Sequence, residues 1–255
     1  MKKTDEAVIF LSVVIPCFNE ERNIRLGALD SVSSYLTKQT FLWEVILVDD
    51  GSNDDSPYLL KKFVAENIGF RLVNIRHKGK AAAVSAGILK SKGKIILFTD
   101  LDQATPLKEL KKLLPLLEKG NDLVIGSRNS NRKGAPITRL MMARGFMIIR
   151  NFILDLGIRD TQCGFKAFQK KAAFDIFSKL LVFNSNRLAS GSTVTAGFDI
   201  ELLYIAKIRG YKIAEVPVEW HYQETRNVNP VKDSLESLLD LVRIRINSLK
   251  GLYRA

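Results

Sequence analysis

Five short runs of Val, Ile and Leu, each nearly unbroken, constrain this chain more than any other feature. They are Ser12–Pro16, Glu44–Asp49, Arg71–Arg76, Lys94–Thr99 and Asp122–Ser127. A strand with one wet face alternates apolar and polar residues. A run that is apolar at almost every position is buried on both faces, as in a parallel sheet covered by crossover helices. Helical patterns fall between the runs, at Glu20–Thr37, Ser56–Asn67, Lys80–Ser91 and Pro106–Lys119. Right-handed crossovers then predict an open α/β sheet, mostly parallel, with helices on both faces. Such sheets bind ligands at the carboxyl ends of their strands, so the loops after the runs are where chemistry is expected.

The back half is less regular. Ile137–Ile158 predicts a helix apolar almost all round, Ser185–Gly197 a loop, Phe198–Arg209 a helix and Tyr211–Trp220 a strand. Val231–Tyr253 predicts an amphipathic helix. Its apolar stripe runs through Val231, Leu235, Leu238, Val242, Ile246, Leu249 and Tyr253, with Asp240 and Arg243 on the opposite face. At 255 residues and 46% hydrophobic content the chain can bury a substantial core. We expect one main domain over 1–229, with 137–158 as an interfacial helix, and 230–255 as a C-terminal amphipathic helix.

No eighteen-residue apolar stretch lacks a charge, and Ala7–Leu11 is too short to span a bilayer. No small-residue cleavage site follows it, so neither a transmembrane helix nor a signal peptide is expected. The two cysteines, Cys17 and Cys163, form no Cys-x-x-Cys pair and are too few for a disulfide framework. That usage points to a reducing, cytosolic-side setting. The net charge of +12 suits nucleic acid, an anionic membrane surface or phosphate-bearing substrates. The absence of zinc-finger and aromatic RNA-binding signatures argues against nucleic acid. Arginines beside apolar runs, as in Arg139–Arg150, favour membrane and phosphate.

Three strand ends carry carboxylates. Pro16-Cys17-Phe18-Asn19-Glu20 offers an aromatic ring and an acid suited to a base and a ribose; Asn19 or Glu20 reads equally as a helix cap. In Val48-Asp49-Asp50-Gly51-Ser52, a carboxylate can accept an N–H of uracil or guanine, or it can cap a turn. In Asp100-Leu101-Asp102-Gln103, carboxylates two residues apart suit Mg²⁺ or Mn²⁺, which takes few protein oxygens and completes its shell with phosphate and water. An isolated Asp-x-Asp is common. The conjunction after strands one, two and four gives the set its weight. Arg76, Lys78, Lys80, Arg128, Arg139 and Lys166 lie at loop ends, where a cation can clamp phosphate; each alone reads equally as a surface charge.

Together with Gly79-Lys80, Gly126-Ser127-Arg128 and the Asp160–Lys166 block, these motifs resemble the family 2 glycosyltransferases of the GT-A fold. Within that family the polyprenyl-phosphate branch is most similar. The likeness extends through Phe198–Ala206, Glu215–Trp220 and Asp240–Tyr253, from Leu11 onward. It implies that Pro16, Phe18, Glu20, Asp49, Asp50, Lys80, Asp100 and Leu101 bind a nucleotide-diphosphate sugar. It also implies a divalent Mg or Mn ion held by Asp100 and Asp102, with Gln103 a further candidate. Asp102, Arg128, Lys166 and Asp199 would be catalytic, and Arg139 and Lys166 would meet the acceptor phosphate. Gln103 and Gly79-Lys80-Ala81 depart from the commoner family pattern. The implied reaction moves a hexose, glucose ahead of mannose, to dolichyl or undecaprenyl phosphate with inversion. Such an enzyme would work peripherally on the cytoplasmic face of a membrane. A phosphate monoester is largely ionised near neutral pH, so it needs no strong base; for a hydroxyl acceptor, Asp199 or Glu201 would be the base.

Overall fold

The apolar runs become strands β1 (Leu11–Cys17), β2 (Trp43–Asp49), β3 (Phe70–Asn74), β4 (Ile95–Thr99) and β5 (Leu123–Arg128). Two more strands, β6 (Phe165–Gln169) and β7 (Ile213–Val218), complete a sheet in the order β3-β2-β1-β4-β6-β5-β7. The structure is a computed structural model that describes residues 8–128, 137–183, 196–221 and 230–254, with backbone alone at 137–144, 196 and 230–235.

Burial along the strands explains the continuous hydrophobicity. Val13, Ile15, Val45, Leu47 and Leu97 enter one core, with α1 (Glu21–Arg25), α2 (Ala28–Leu36), α3 (Ser56–Glu66) and α5 (Leu110–Glu118). Their neighbours Val14, Ile46, Val48, Ile96 and Phe98 enter a second core on the other face. That core is covered by α4 (Lys80–Leu89), α6 (Ile137–Leu154), α7 (Lys170–Ser178), α8 (Ala196–Ile208) and α9 (Pro230–Leu249). Every apolar side chain of a central strand therefore has a layer to face.

Three expectations are corrected. The helix over Glu20–Thr37 is broken, because Gly27 takes a left-handed φ of 82° and divides α1 from α2. Gly197, assigned to the loop, lies inside α8; the rest of that loop up to residue 195 lies outside the described residues. The third concerns β6, which was not foreseen. It pairs antiparallel with both β4 and β5 while the other pairings are parallel. Because β6 runs backwards, the loop entering it, Asp160–Gly164, lands at the carboxyl edge of its neighbours. A purely parallel strand would have delivered that loop to the far edge.

Among the described residues no helix is long and apolar enough to cross a membrane. Among the described side chains of α9 the buried ones are Asp240, Leu241 and Ile244, joined by Tyr253 beyond the helix, while Leu239, Val242, Ile246 and Leu249 are exposed. The predicted stripe thus mixes two faces, and Asp240, placed on the polar side, is buried. The helix carries apolar residues on both flanks, and counting threes and fours alone does not tell the core flank from the other.

Candidate active site

The loops after β1 and β2 are stitched together. The Asn19 amide donates to Ser52 Oγ at 3.0 Å, and Asn19 Oδ1 accepts from the Asn53 amide at 2.9 Å. The Glu20 amide donates to Ser56 Oγ at 2.7 Å. Glu20 sits at the N-cap of α1 but its side chain makes no capping bond; its carboxylate accepts from Asn23 Nδ2 at 2.5 Å. Pro16 lies one residue before the end of β1, half-buried and next to Val48 in register. Asp49 ends β2 with Oδ1 accepting from the Ser52 amide and hydroxyl at 3.2 and 2.6 Å.

Asp50 does a different job from its neighbour. It is 1% exposed, and its carboxylate accepts from the Lys78 and Gly79 amides, each at 2.8 Å, and lies 2.9 Å from His77 Nδ1. Those bonds commit its carboxylate to holding the 77–79 loop rather than leaving it open to a nucleotide sugar. Gly51 fits between: its φ is 69° and a Cβ there would meet the His77 backbone. His77 stacks on Phe18 with centroids 4.0 Å apart and planes 15° apart. Sequence reasoning passed over His77, because nothing local in Arg76-His77-Lys78 announces a ring stack formed across two loops.

At the end of β4, Asp100 Oδ1 pairs with Lys80 Nζ at 2.6 Å. Burial works to lower the Lys80 pKa, but Asp100, with Asp199 and Asp102 behind it, outweighs burial and holds the ammonium above the usual lysine value. Asp102 accepts from the Ala104 amide at 3.0 Å. Burial, and then the charge of Asp100, push its carboxyl above the ordinary aspartate range. Gly164, at the entry to β6, packs directly on Asp100, and a Cβ there would overlap its carboxylate. Gln103 takes φ 49°, and its Nε2 donates to the Asp100 carbonyl at 2.8 Å. That bond turns the amide toward shaping the turn. Leu101 is 2% exposed and belongs to the hydrophobic core. Its side chain is thereby removed from the nucleotide-sugar site to which it was assigned; between two acids on a loop, only an inward-facing position suits it.

The cationic residues fare unequally. Arg128 grips Asp160 with Nε to Oδ2 at 2.7 Å and Nη2 to Oδ1 at 2.8 Å, and its guanidinium lies 5.7 Å from the Trp220 ring centre. Burial would raise Asp160, but the bonds and charge of Arg128 hold its carboxyl below the ordinary range. Arg150, buried in α6, donates to Thr161 Oγ1 at 2.8 Å and to the Ile158 carbonyl, bracing the same loop. Lys166 is fully buried, with Nζ 2.5 Å from Asp199 Oδ1 and 2.5 Å from the Cys163 carbonyl. An acceptor-phosphate contact for Lys166 is therefore corrected: its register opposite Phe98 in β4 turns it into the sheet's covered face. Glu201 is also buried and does not face the edge. It accepts from the amides of Leu181, Val182 and Phe183 and from the Tyr253 hydroxyl at 2.7 Å. The Arg139 side chain lies outside the described residues.

The edge thus collects Asp49, Asp100, Asp102 and Lys80, with the buried Lys166–Asp199 pair behind them. Among the described residues no three His, Cys, Asp or Glu side chains form a metal cage. Asp100 and Asp102 remain as a mutually repelling pair, of the chemistry that would suit a cation taking most of its ligands from phosphate and water.

Known proteins share this sequence and this fold. Residues 12–177 match the model for Glycosyl transferase family 2. The chain is 34% identical to a dolichyl-phosphate beta-glucosyltransferase of Dictyostelium discoideum, across 96% of this chain and 77% of that one. It is 36% identical to the human protein of that name, with the same coverage. Its fold matches glucosyl-3-phosphoglycerate synthase of Mycobacterium tuberculosis in complex with UDP at a TM-score of 0.66, with 22% identity, over 93% of this chain and 80% of that one. A second structure of that synthase, holding Mn²⁺, UDP and glucosyl-3-phosphoglycerate, matches at a TM-score of 0.61 with 21% identity, over 92% and 80%. With carboxylates gathered at the edge of a sheet of this order, and with relatives alike along nearly its whole length, the chain belongs to glycosyl transferase family 2 and has its GT-A fold.

Proposed function

We propose that this enzyme transfers glucose from a nucleoside-diphosphate glucose to dolichyl phosphate, inverting the anomeric centre to give a β-linked lipid-phosphate sugar. The observation that carries this reading is the 34–36% identity to dolichyl-phosphate beta-glucosyltransferases over 96% of the chain. The stacked Phe18 and His77 rings and Asp49 form the nucleoside end of the site. Asp100 and Asp102 would hold a divalent cation against the donor diphosphate. A cation held there would supply positive charge to stabilise the leaving diphosphate. Arg128 and Asp160 fix the wall opposite, with Trp220 against the guanidinium.

The state of Asp199 favours a phosphate acceptor. Its Oδ1 is engaged by Lys166 in a buried ion pair rather than presented to an acceptor, and a hydroxyl nucleophile would need a base at hand. A phosphate monoester brings its own negative charge and needs only in-line placement. The enzyme must then meet its lipid at a membrane surface. Ile148 and Phe152 of α6 are 66% and 91% exposed. On α9, Leu239, Val242, Ile246 and Leu249 are exposed beside Arg243, Arg245 and Lys250. Apolar side chains flanked by cations suit the interface of an anionic bilayer, where each cation contributes about 1 kcal/mol.

Incubation with labelled UDP-glucose, dolichyl phosphate in detergent and Mg²⁺ or Mn²⁺ tests the reaction. Label should move into an acid-labile lipid. Transfer only from GDP-mannose, or only to a hydroxyl acceptor, would overturn the assignment.

A further inference from the structure

Three carboxylates and two ammonium groups share the end of β4. Lys166 is fixed, fully buried and bonded to Asp199 and the Cys163 carbonyl. Lys80 differs: its side chain is 27% exposed, and its ion pair is with Asp100. The two ammonium groups lie over the Phe98 ring at 5.3 and 5.4 Å from its centre. With Asp102 and Asp199 counted, the acids exceed the cations by one, which suits a site that receives further positive charge.

Asp100 thus serves two cations. Any metal that uses it must compete with an ammonium already at contact distance, and like charges that close repel strongly in a partly buried site. An ammonium stripped of its partner there needs another anion. A diphosphate arriving with the metal supplies one, and the flexible four-carbon stem of lysine lets the charge follow it.

We propose that Lys80 is a placeholder cation: it occupies Asp100 against metal alone, and yields that carboxylate only when a diphosphate gives its ammonium a new partner. This rests on the reading of Asp100 and Asp102 as the cation-holding pair. Lys80 then makes metal and nucleotide bind together, each tightening the other by the same factor. The enzyme loads its cation with the donor, and free metal does not accumulate in the site.

Mn²⁺ binding followed by electron paramagnetic resonance, without acceptor lipid, tests the idea. In the unaltered protein Mn²⁺ should bind weakly alone and tightly with UDP. In Lys80→Met, Mn²⁺ alone should bind about tenfold tighter or more, and the gain on adding UDP should shrink. Lys80→Arg keeps the charge and should retain weak binding of Mn²⁺ alone, which separates charge from loss of packing; thermal melts check folding of both. If Lys80→Met binds Mn²⁺ alone no tighter while UDP still recruits Mn²⁺ to the unaltered protein, the placeholder role fails and the metal reading stands. If UDP recruits no Mn²⁺ to the unaltered protein, both fail.

Discussion

The Asp100 carboxylate lies between the Lys80 ammonium and the backbone of Gly164. Gly164→Ala should displace it, because the added Cβ overlaps the carboxylate and backbone cannot give way as a side-chain tip does. Overpacking of this kind costs about 1–3 kcal/mol of stability. Metal-dependent UDP binding should weaken by roughly tenfold or more, since small misplacements of a positioned group are expensive. A nucleotide titration beside a denaturant melt measures both, and unchanged UDP binding in a folded variant would show that Asp100 is free to move. At this scale the sequence was informative about residue type and silent about partners. Asp49, Asp100 and Asp102 stood out because acids follow unbroken apolar strands. Lys166 and Asp199 were recognisable as important, yet they lie 33 residues apart, and nothing local indicates that they bury each other. The stack of His77 on Phe18 depends on two loops meeting and left no trace in either.

Among the elements, α8 joins distant parts of the molecule. Asp199 near its start faces Lys166, and two residues on Glu201 holds three consecutive amides of 181–183 and the hydroxyl of Tyr253. Burial pushes Glu201 above the ordinary glutamate range in spite of those bonds, and burial also raises the Tyr253 phenol. Tyr253→Phe should therefore lower stability by about 1–2 kcal/mol, the cost of a lost hydrogen bond to a buried carboxylate. Donor KM should stay unchanged in the assay of the lipid product; a raised KM would mean that the C-terminal segment reaches the donor site. The parallel strands and their helices were legible because their burial on both faces writes itself as continuous hydrophobicity. β6 was not, since a five-residue strand with a lysine inside it looks like a loop until its neighbours are known. In α9 the period was visible and the core-facing flank was not.

For the whole molecule, the exposed apolar residues of α6 and α9 define how it would sit on a bilayer. Removing α9 is a poor test, because Leu241, Ile244 and Tyr253 belong to the core. Val242→Glu with Ile246→Glu alters exposed positions alone and should leave the melting temperature near its original value. Co-sedimentation with anionic vesicles should fall several-fold, and transfer to vesicle-borne dolichyl phosphate should fall with it, while UDP binding stays intact. Undiminished co-sedimentation would move the docking face elsewhere. The backward strand β6 has a consequence for how the molecule holds together. In the described sheet, β3-β2-β1-β4 and β5-β7 are joined through β6 alone, although β5 precedes it in the chain. The strand that joins the two blocks is also the one that brings Gly164 to Asp100 and Lys166 to Asp199. Continuity of the sheet and assembly of its carboxyl edge thus depend on the same five residues, so damage to β6 reaches the site as directly as it reaches the fold.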